Sequence, residues 1–336
     1  MKHTAWWSPP QDTVSREFVR VGMPANLLGF IRRVSSSNQL WIALLAVTVF
    51  VMNTAPLEIQ RRILNAATID RDARLVVVLG LAYAAIVVSE GLLKLLLNVY
   101  GGWIGEKAIR TLRLSASTLA DGIPAHQKDP AVQGVEISLI VAEPEAIGGF
   151  VGIAVAELVL QVGMLLSVFG YMFYVQPTLA LVCLLLFAPQ LLFVPLMQSA
   201  INRRAQARIG VLRQASVGVL LAGQAHGEKA QRERFAEIFE LDLGIVKLRF
   251  SMKFLMNFTQ NLGKVLILCF GGWYIIEGRT DIGTVVAFVS GLASVRDPWS
   301  DLVNWYQEMM LASAKYRTFV AAMRQFAIVR HPFAAD

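Results

Sequence analysis

The chain has 336 residues, of which 55% are hydrophobic and 16% charged, with a net charge of +7 and a mean hydropathy of +0.53. Soluble domains are usually about half apolar and about a quarter charged, so this composition excludes an ordinary soluble globular protein. No nucleic-acid module is recognisable, and the excess of positive charge has a topological explanation given below.

Residues 14–33 mix Phe18, Leu27, Leu28, Phe30 and Ile31 with Arg16, Arg20, Arg32 and Arg33. That pattern suits a short helix lying in the inner membrane interface, broken at Pro24. The first 35 residues are polar and mixed, without a small-residue cleavage site, so no secretory signal is expected. Six later runs approach the roughly 20 apolar residues that cross a bilayer: about 39–57, 75–99, 146–170, 176–196, 254–277 and 283–302. The alternation a β-barrel needs is absent. The expected fold is therefore an all-α polytopic membrane protein of six transmembrane helices. Its parts are a cytoplasmic tail with an elbow helix over 1–37, a membrane domain over 38–320 and a cytoplasmic tail over 321–336.

Lysine and arginine placement sets the orientation. With both termini in the cytoplasm, 23 of the 31 basic residues fall in the N-terminal tail, the 101–145 and 197–253 connections and the stretch after span six. The outer loops hold Arg61, Arg62, Arg71, Arg74 and Arg279, and the spans hold Lys94, Lys264 and Arg296. The expected location is the bacterial inner (plasma) membrane. Cys183 and Cys269 both lie in apolar spans and are expected to act as small packing residues.

The outer turns near Val175-Gln176-Pro177 and at 277–281 are short, whereas the two inner connections are long. Loops of that length without structure are uncommon. Both carry apolar positions at helical spacing, so spans two to five are expected to run on into the cytoplasm as long helices. Short transverse turns are expected near 123–134 and near 210–224, where proline and glycine punctuate the sequence.

This layout, with particular residues, resembles the transmembrane domain of ABC exporters (the type IV fold). The residues are Pro56, Ile59 and Ile63–Ala66 at the end of span one, then Gly105-Glu106 and Leu112-Arg113-Leu114 after span two. Next come Gly122-Ile123-Pro124, Gly134, Glu145 and Ile147, followed by Glu228 and Glu233-Arg234-Phe235. Gly271-Gly272, Gly278, Ile282-Gly283, Ala287-Phe288 and Pro298 complete the set. Departures are Ala125-His126-Gln127 where the family has an aromatic pair, and Glu143 or Glu145 in place of an Asp.

Ionisable residues inside spans are costly and so are candidates for function. Ser290, Ser294, Asp297, Asp301, Asn304 and Glu308 step by three and four along span six, which places them on one face of a continuous helix. The resemblance implies that span six lines the translocation path, so this face would be an acidic wall for a cationic or polar cargo. Arg296 is a candidate to pair with a neighbouring helix, and Pro298 to loosen its own. Lys253, Asn257, Gln260, Asn261 and Lys264 form a second stripe in span five, either lining the cavity or bonding between helices. Glu90, Lys94 and Asn98 lie four apart in span two, which favours an ion pair within the helix. Glu157, with Gln161 one turn on, is a candidate proton relay or an interhelical hydrogen-bonding group. The Gly101-x-x-x-Gly105 and Gly148-x-x-x-Gly152 pairs permit close helix contact. Pro189 and Pro195 predict kinks in span four.

No phosphate-binding G-x-x-x-x-G-K-[ST] loop is present. Leu221-Ala222-Gly223-Gln224 is only superficially like an ABC signature. No Ser/His/Asp or Cys/His set is visible, no metal site is expected, and His126 reads as a surface residue. The resemblance implies a permease subunit that is not itself an enzyme. It would pair as a homodimer or heterodimer and be driven by a separate ATPase subunit that binds ATP and Mg and docks at about 123–134 and 210–224. Two other readings remain open. One is a proton-driven peptide transporter of the same architecture, relying on Glu90, Glu157 and Asp297. The other is a non-transporting regulatory membrane partner.

Overall fold

A computed structural model describes Phe18 and residues 22–120, 143–220 and 227–330, and the described residues are helical with short connections. The transverse turn expected at 123–134, all four histidines and the Leu221–Gln224 stretch lie outside the described residues. Helix α1 is Leu27–Asn53 and α2 is Ala55–Asn65, continued by a π-helical turn over Ala66–Asp70. Then follow α3 (Ala73–Ala120), α4 (Glu143–Val175), α5 (Pro177–Leu220), α6 (Gly227–Ile276), α7 (Ile282–Ser294) and α8 (Arg296–Arg330).

Local chemistry sets these boundaries. Asn26 has extended backbone angles and its carbonyl accepts from Phe30 N, so α1 starts just beyond Pro24. Ser35 leaves helical geometry at φ −146°, while its Oγ donates to Ile31 O at 3.1 Å, separating the elbow segment from the rest of α1. Pro56 cannot donate to Met52 O, and the helix breaks at Thr54. The connection that follows, over 55–70, is helical rather than an open loop. Glu58 there holds Arg61 at 3.0 Å and Arg62 at 2.7 Å. Arg71 takes a left-handed φ of 52°, and Asp72 Oδ1 then accepts from the amides of Arg74 and Leu75 to begin α3.

Among the described residues, the long connections at 101–145 and 197–253 are extensions of helices. At about 1.5 Å rise per residue, α3, α5 and α6 each run about 65–75 Å, more than twice the roughly 30 Å hydrocarbon core. Residues 210–220 of the turn expected over 210–224 belong to α5, and 221–224 lie outside the described residues. Pro189 and Pro195 lie inside α5 without ending it. Among the described residues, four helical stretches are long and apolar enough to cross a membrane: Leu27–Asp70, Ala73–Leu119, Glu143–Val175 and Pro177–Leu212. Gln260, Asn261 and Lys264 lower the apolar character of α6, and α7 is only 13 residues long. Only 6% of the most apolar window of α3 is buried in the chain, with Leu81, Leu92 and Leu95 exposed, as expected of a helix whose solvent is lipid.

The chain forms two compact units. The first comprises Met1–Val168 and Asp297–Asp336, and the second Phe169–Arg296. In the first, α3 and α4 run antiparallel and nearly touch through glycine. A Cβ on Gly101 would lie 3.0 Å from Gly152 O, and one on Gly105 3.0 Å from Gly148 O. Phe30, Ile42, Ile104, Leu112, Ile147, Tyr316 and Phe319 are fully buried in its core. Tyr316 of α8 donates from its hydroxyl to Pro24 O at 2.8 Å and packs against Phe30, tying α8 to the elbow. In the second unit, α5 and α6 form a long antiparallel hairpin. Arg204 donates to Gly244 O at 2.8 Å, Arg208 pairs with Asp242 at 2.7 Å, and Gln231 donates to Ala215 O at 3.0 Å. Gly278, at φ 70°, turns α6 into α7, whose first turn is capped by Asp281 accepting from Thr284 N at 2.6 Å.

Candidate functional site

The continuous polar face expected along span six is divided. α7 ends at Ser294, Val295 intervenes, and α8 begins at Arg296. The cause is Pro298: it has no N–H to donate to Ser294 O, and its ring crowds that carbonyl. Ser290 and Ser294 therefore belong to α7, and Asp297, Asp301, Asn304 and Glu308 to α8. Ser294 Oγ is used within its own helix, donating to Ser290 O at 3.0 Å. The acidic members share one face of α8, with Asp297, Asn304 and Glu308 exposed and Asp301 half-buried. Asp297 also sits in the first turn of α8, where the helix dipole favours a carboxylate.

Asp301 joins a residue 140 positions earlier in the chain. Gln161 of α4 is 6% exposed, and its Nε2 donates to Glu157 Oε1 at 2.7 Å and to Asp301 Oδ2 at 3.2 Å. Both protons of one amide are thereby spent on two carboxylates from different helices. One turn further along α8, Trp305 Nε1 donates to Ala154 O at 2.8 Å, and its ring packs on Phe150. These contacts fix the register of α8 on α4 and hold Asp301 beside Glu157. Chemically, the cluster is a pair of acceptors organised by one donor, able to take a proton or a cationic group.

Glu90 is elsewhere. Its Oε1 accepts from Lys94 Nζ at 2.7 Å and from Asn53 Nδ2 at 3.0 Å, joining α3 to the end of α1. Asn257 and Lys264 are half-buried and Asn261 exposed on α6, and none of the three has a side-chain partner among the described residues. Gln260, on the same stretch, donates to Leu292 O at 3.4 Å. Among the described residues no group of three or more His, Cys, Asp or Glu is placed to hold a metal ion.

Sequence reasoning missed the link between Gln161 and Asp301, because nothing local marks a pairing over that separation. It also passed over Gln190, a polar residue next to Pro189 in an apolar span. That juxtaposition was the available signal: the structure buries Gln190 to 6% exposure.

The family model described as "ABC transporter transmembrane region" matches residues 39–216. A curated relative, the ATP-dependent lipid A-core flippase of Syntrophus aciditrophicus (strain SB), is 24% identical over 250 residues. That alignment covers 70% of this chain and 41% of the relative, so the chain spans about two fifths of the relative's length.

Proposed function

Since the chain belongs to the ABC transporter transmembrane-region family, we propose that it is a permease subunit powered by ATP hydrolysis on a separate ATPase subunit. It is a multi-pass membrane protein of a transport family. The match over residues 39–216 is the observation that carries this reading. In the proposal, two such membrane subunits, identical or related, form one pathway in the bacterial inner membrane with their termini in the cytoplasm. ATP and Mg are bound by the partner. The far ends of the α3–α4 and α5–α6 pairs, including 123–134 and 210–224, dock on it. The cargo is amphipathic. The acidic residues of α8 support a cationic or polar group on it, and the flippase relative supports a lipid-like body.

The test is gentle purification from native membranes, mass spectrometry of the co-eluting proteins and an ATPase assay on the eluate. A stoichiometric ATPase subunit with activity is expected. A homodimer without ATPase activity would overturn the reading.

A second reading is favoured by the Glu157–Gln161–Asp301 cluster, whose two carboxylates share one amide inside the membrane domain. It is proton-driven flux through the same architecture. Uptake into liposomes that follows an imposed pH gradient, ignores ATP and is lost in Glu157→Gln would establish it in place of the first.

A further inference from the structure

A shallow, open cleft lies entirely within the second unit, between α5, α6 and the end of α7. Ligand sites are mostly apolar, with a few polar groups that converge on the ligand. Leu186 and Phe187 of α5, Met256 of α6 and Leu292 of α7 supply the apolar wall. Gly263 lets α7 come close at its base, since a Cβ there would meet Leu292 Cδ2 at 2.6 Å.

Two of the polar groups lining the cleft are already engaged. Thr259 Oγ1 donates to Leu255 O at 2.9 Å, and Gln260 Nε2 donates to Leu292 O. Gln190 and Arg296 are not. Gln190 is more than nine-tenths buried and makes no hydrogen bond among the described residues. Arg296, exposed at the rim of the cleft, makes no ion pair among them. A largely buried amide without a hydrogen-bond partner is costly, and a guanidinium beside an apolar wall gains from a counter-charge. An anion between them supplies both. A guanidinium is the side chain best matched to phosphate, because its planar fork donates two parallel hydrogen bonds. One side of the cleft is α5, which is long and apolar enough to cross a membrane, and the wall is apolar. A ligand that reaches it from the bilayer must therefore carry an apolar body as well as negative charge.

We propose that this cleft binds an anionic membrane lipid, with the phosphate held by Arg296 and Gln190 and the start of an acyl chain against Leu186, Phe187 and Leu292. The site uses none of the acidic residues of α8. It goes beyond the transport reading, since binding is measured with no ATPase present.

The experiment is native mass spectrometry of the full chain in detergent micelles, titrated with dioleoyl-phosphatidylglycerol, dioleoyl-phosphatidylcholine and inorganic phosphate. The anionic lipid should bind about tenfold more tightly than the zwitterionic one, as expected of one hydrogen-bonded charge pair. Arg296→Gln should remove that preference, Gln190→Leu should weaken binding of the anionic lipid, and inorganic phosphate should not compete. Equal affinity for the two lipids, or an unchanged preference in Arg296→Gln, would overturn the proposal. So would displacement of the lipid by inorganic phosphate, which would mark a plain anion site. The comparison of the two lipids on the unmodified chain decides the matter even if a variant fails to fold.

Discussion

Gly152→Ala tests whether the α3–α4 contact is as close as the backbone positions require. A Cβ on Gly152 would run into Gly101 O and would lie 3.1 Å from Gly105 N. Those obstacles are backbone atoms of α3, which cannot rotate away as a side chain can, so the helices must separate. Overpacking of this kind costs about 1–3 kcal/mol, and rigid obstacles put the cost in the upper half of that range. Against it stands the gain of about 1 kcal/mol for alanine over glycine inside a helix. The net expectation for Gly152→Ala is a loss of about 1–2 kcal/mol, partly through weaker small-residue packing of the helices. Gly149 is the control. It is exposed on the same helix and a Cβ there has nothing within 4 Å, so Gly149→Ala should be neutral or stabilising by up to about 1 kcal/mol. Thermal unfolding of the purified variants in one detergent gives the order Gly149→Ala, then wild type, then Gly152→Ala. If Gly152→Ala unfolds at or above the Gly149→Ala midpoint, the close approach of α3 and α4 is refuted.

Removing Gln161 leaves Glu157 and Asp301 facing each other without their shared donor. Gln161→Leu should therefore lose about 1–3 kcal/mol at neutral pH, and adding Glu157→Gln should recover part of it, a coupling read from a double-mutant cycle. Tyr316 is buried, and burial raises its hydroxyl above the ordinary tyrosine value of 10.0, an effect that Arg324 partly offsets. The stability it contributes is complete below pH about 10 and is lost as pH rises above that value, so alkaline unfolding should be shallower in Tyr316→Phe. The same variant should lose about 1 kcal/mol at neutral pH, because Pro24 O loses its donor. Asp297→Asn, at an exposed position on α8, should slow flux of a cationic cargo while leaving the unfolding midpoint nearly unchanged. Equal flux in the two proteins would remove Asp297 from the pathway.

Much of the architecture follows from local rules that act along the chain. Apolar runs of bilayer length leave the backbone no option but to bond to itself as helix, so the helical class was legible from composition and run length. Pro56, Pro298, Gly278 and Asp281 mark breaks and caps because the missing N–H, the positive φ and the side-chain acceptor are properties of single residues. The glycine pairs at 101/105 and 148/152 could be recognised as contact surfaces, since absence of a side chain is itself the signal.

Other features depended on which helices meet. Counting by three and four put Ser290 through Glu308 on one face, but that count holds only while a helix is unbroken, and Pro298 divides it at Val295. Gln161 appeared as a neighbour of Glu157, and only tertiary packing brought Asp301 to its other proton. Gln190 and Arg296 lie more than a hundred residues apart and share a cleft because the α5–α6 hairpin and α7 fold together. Sequence alone determined that this chain is helical, which residues can break or cap a helix, and that its solvent is lipid. Tertiary structure alone decided which polar groups are paired and which stay unsatisfied, because partners distant in the chain are chosen by packing and leave no trace in local spacing.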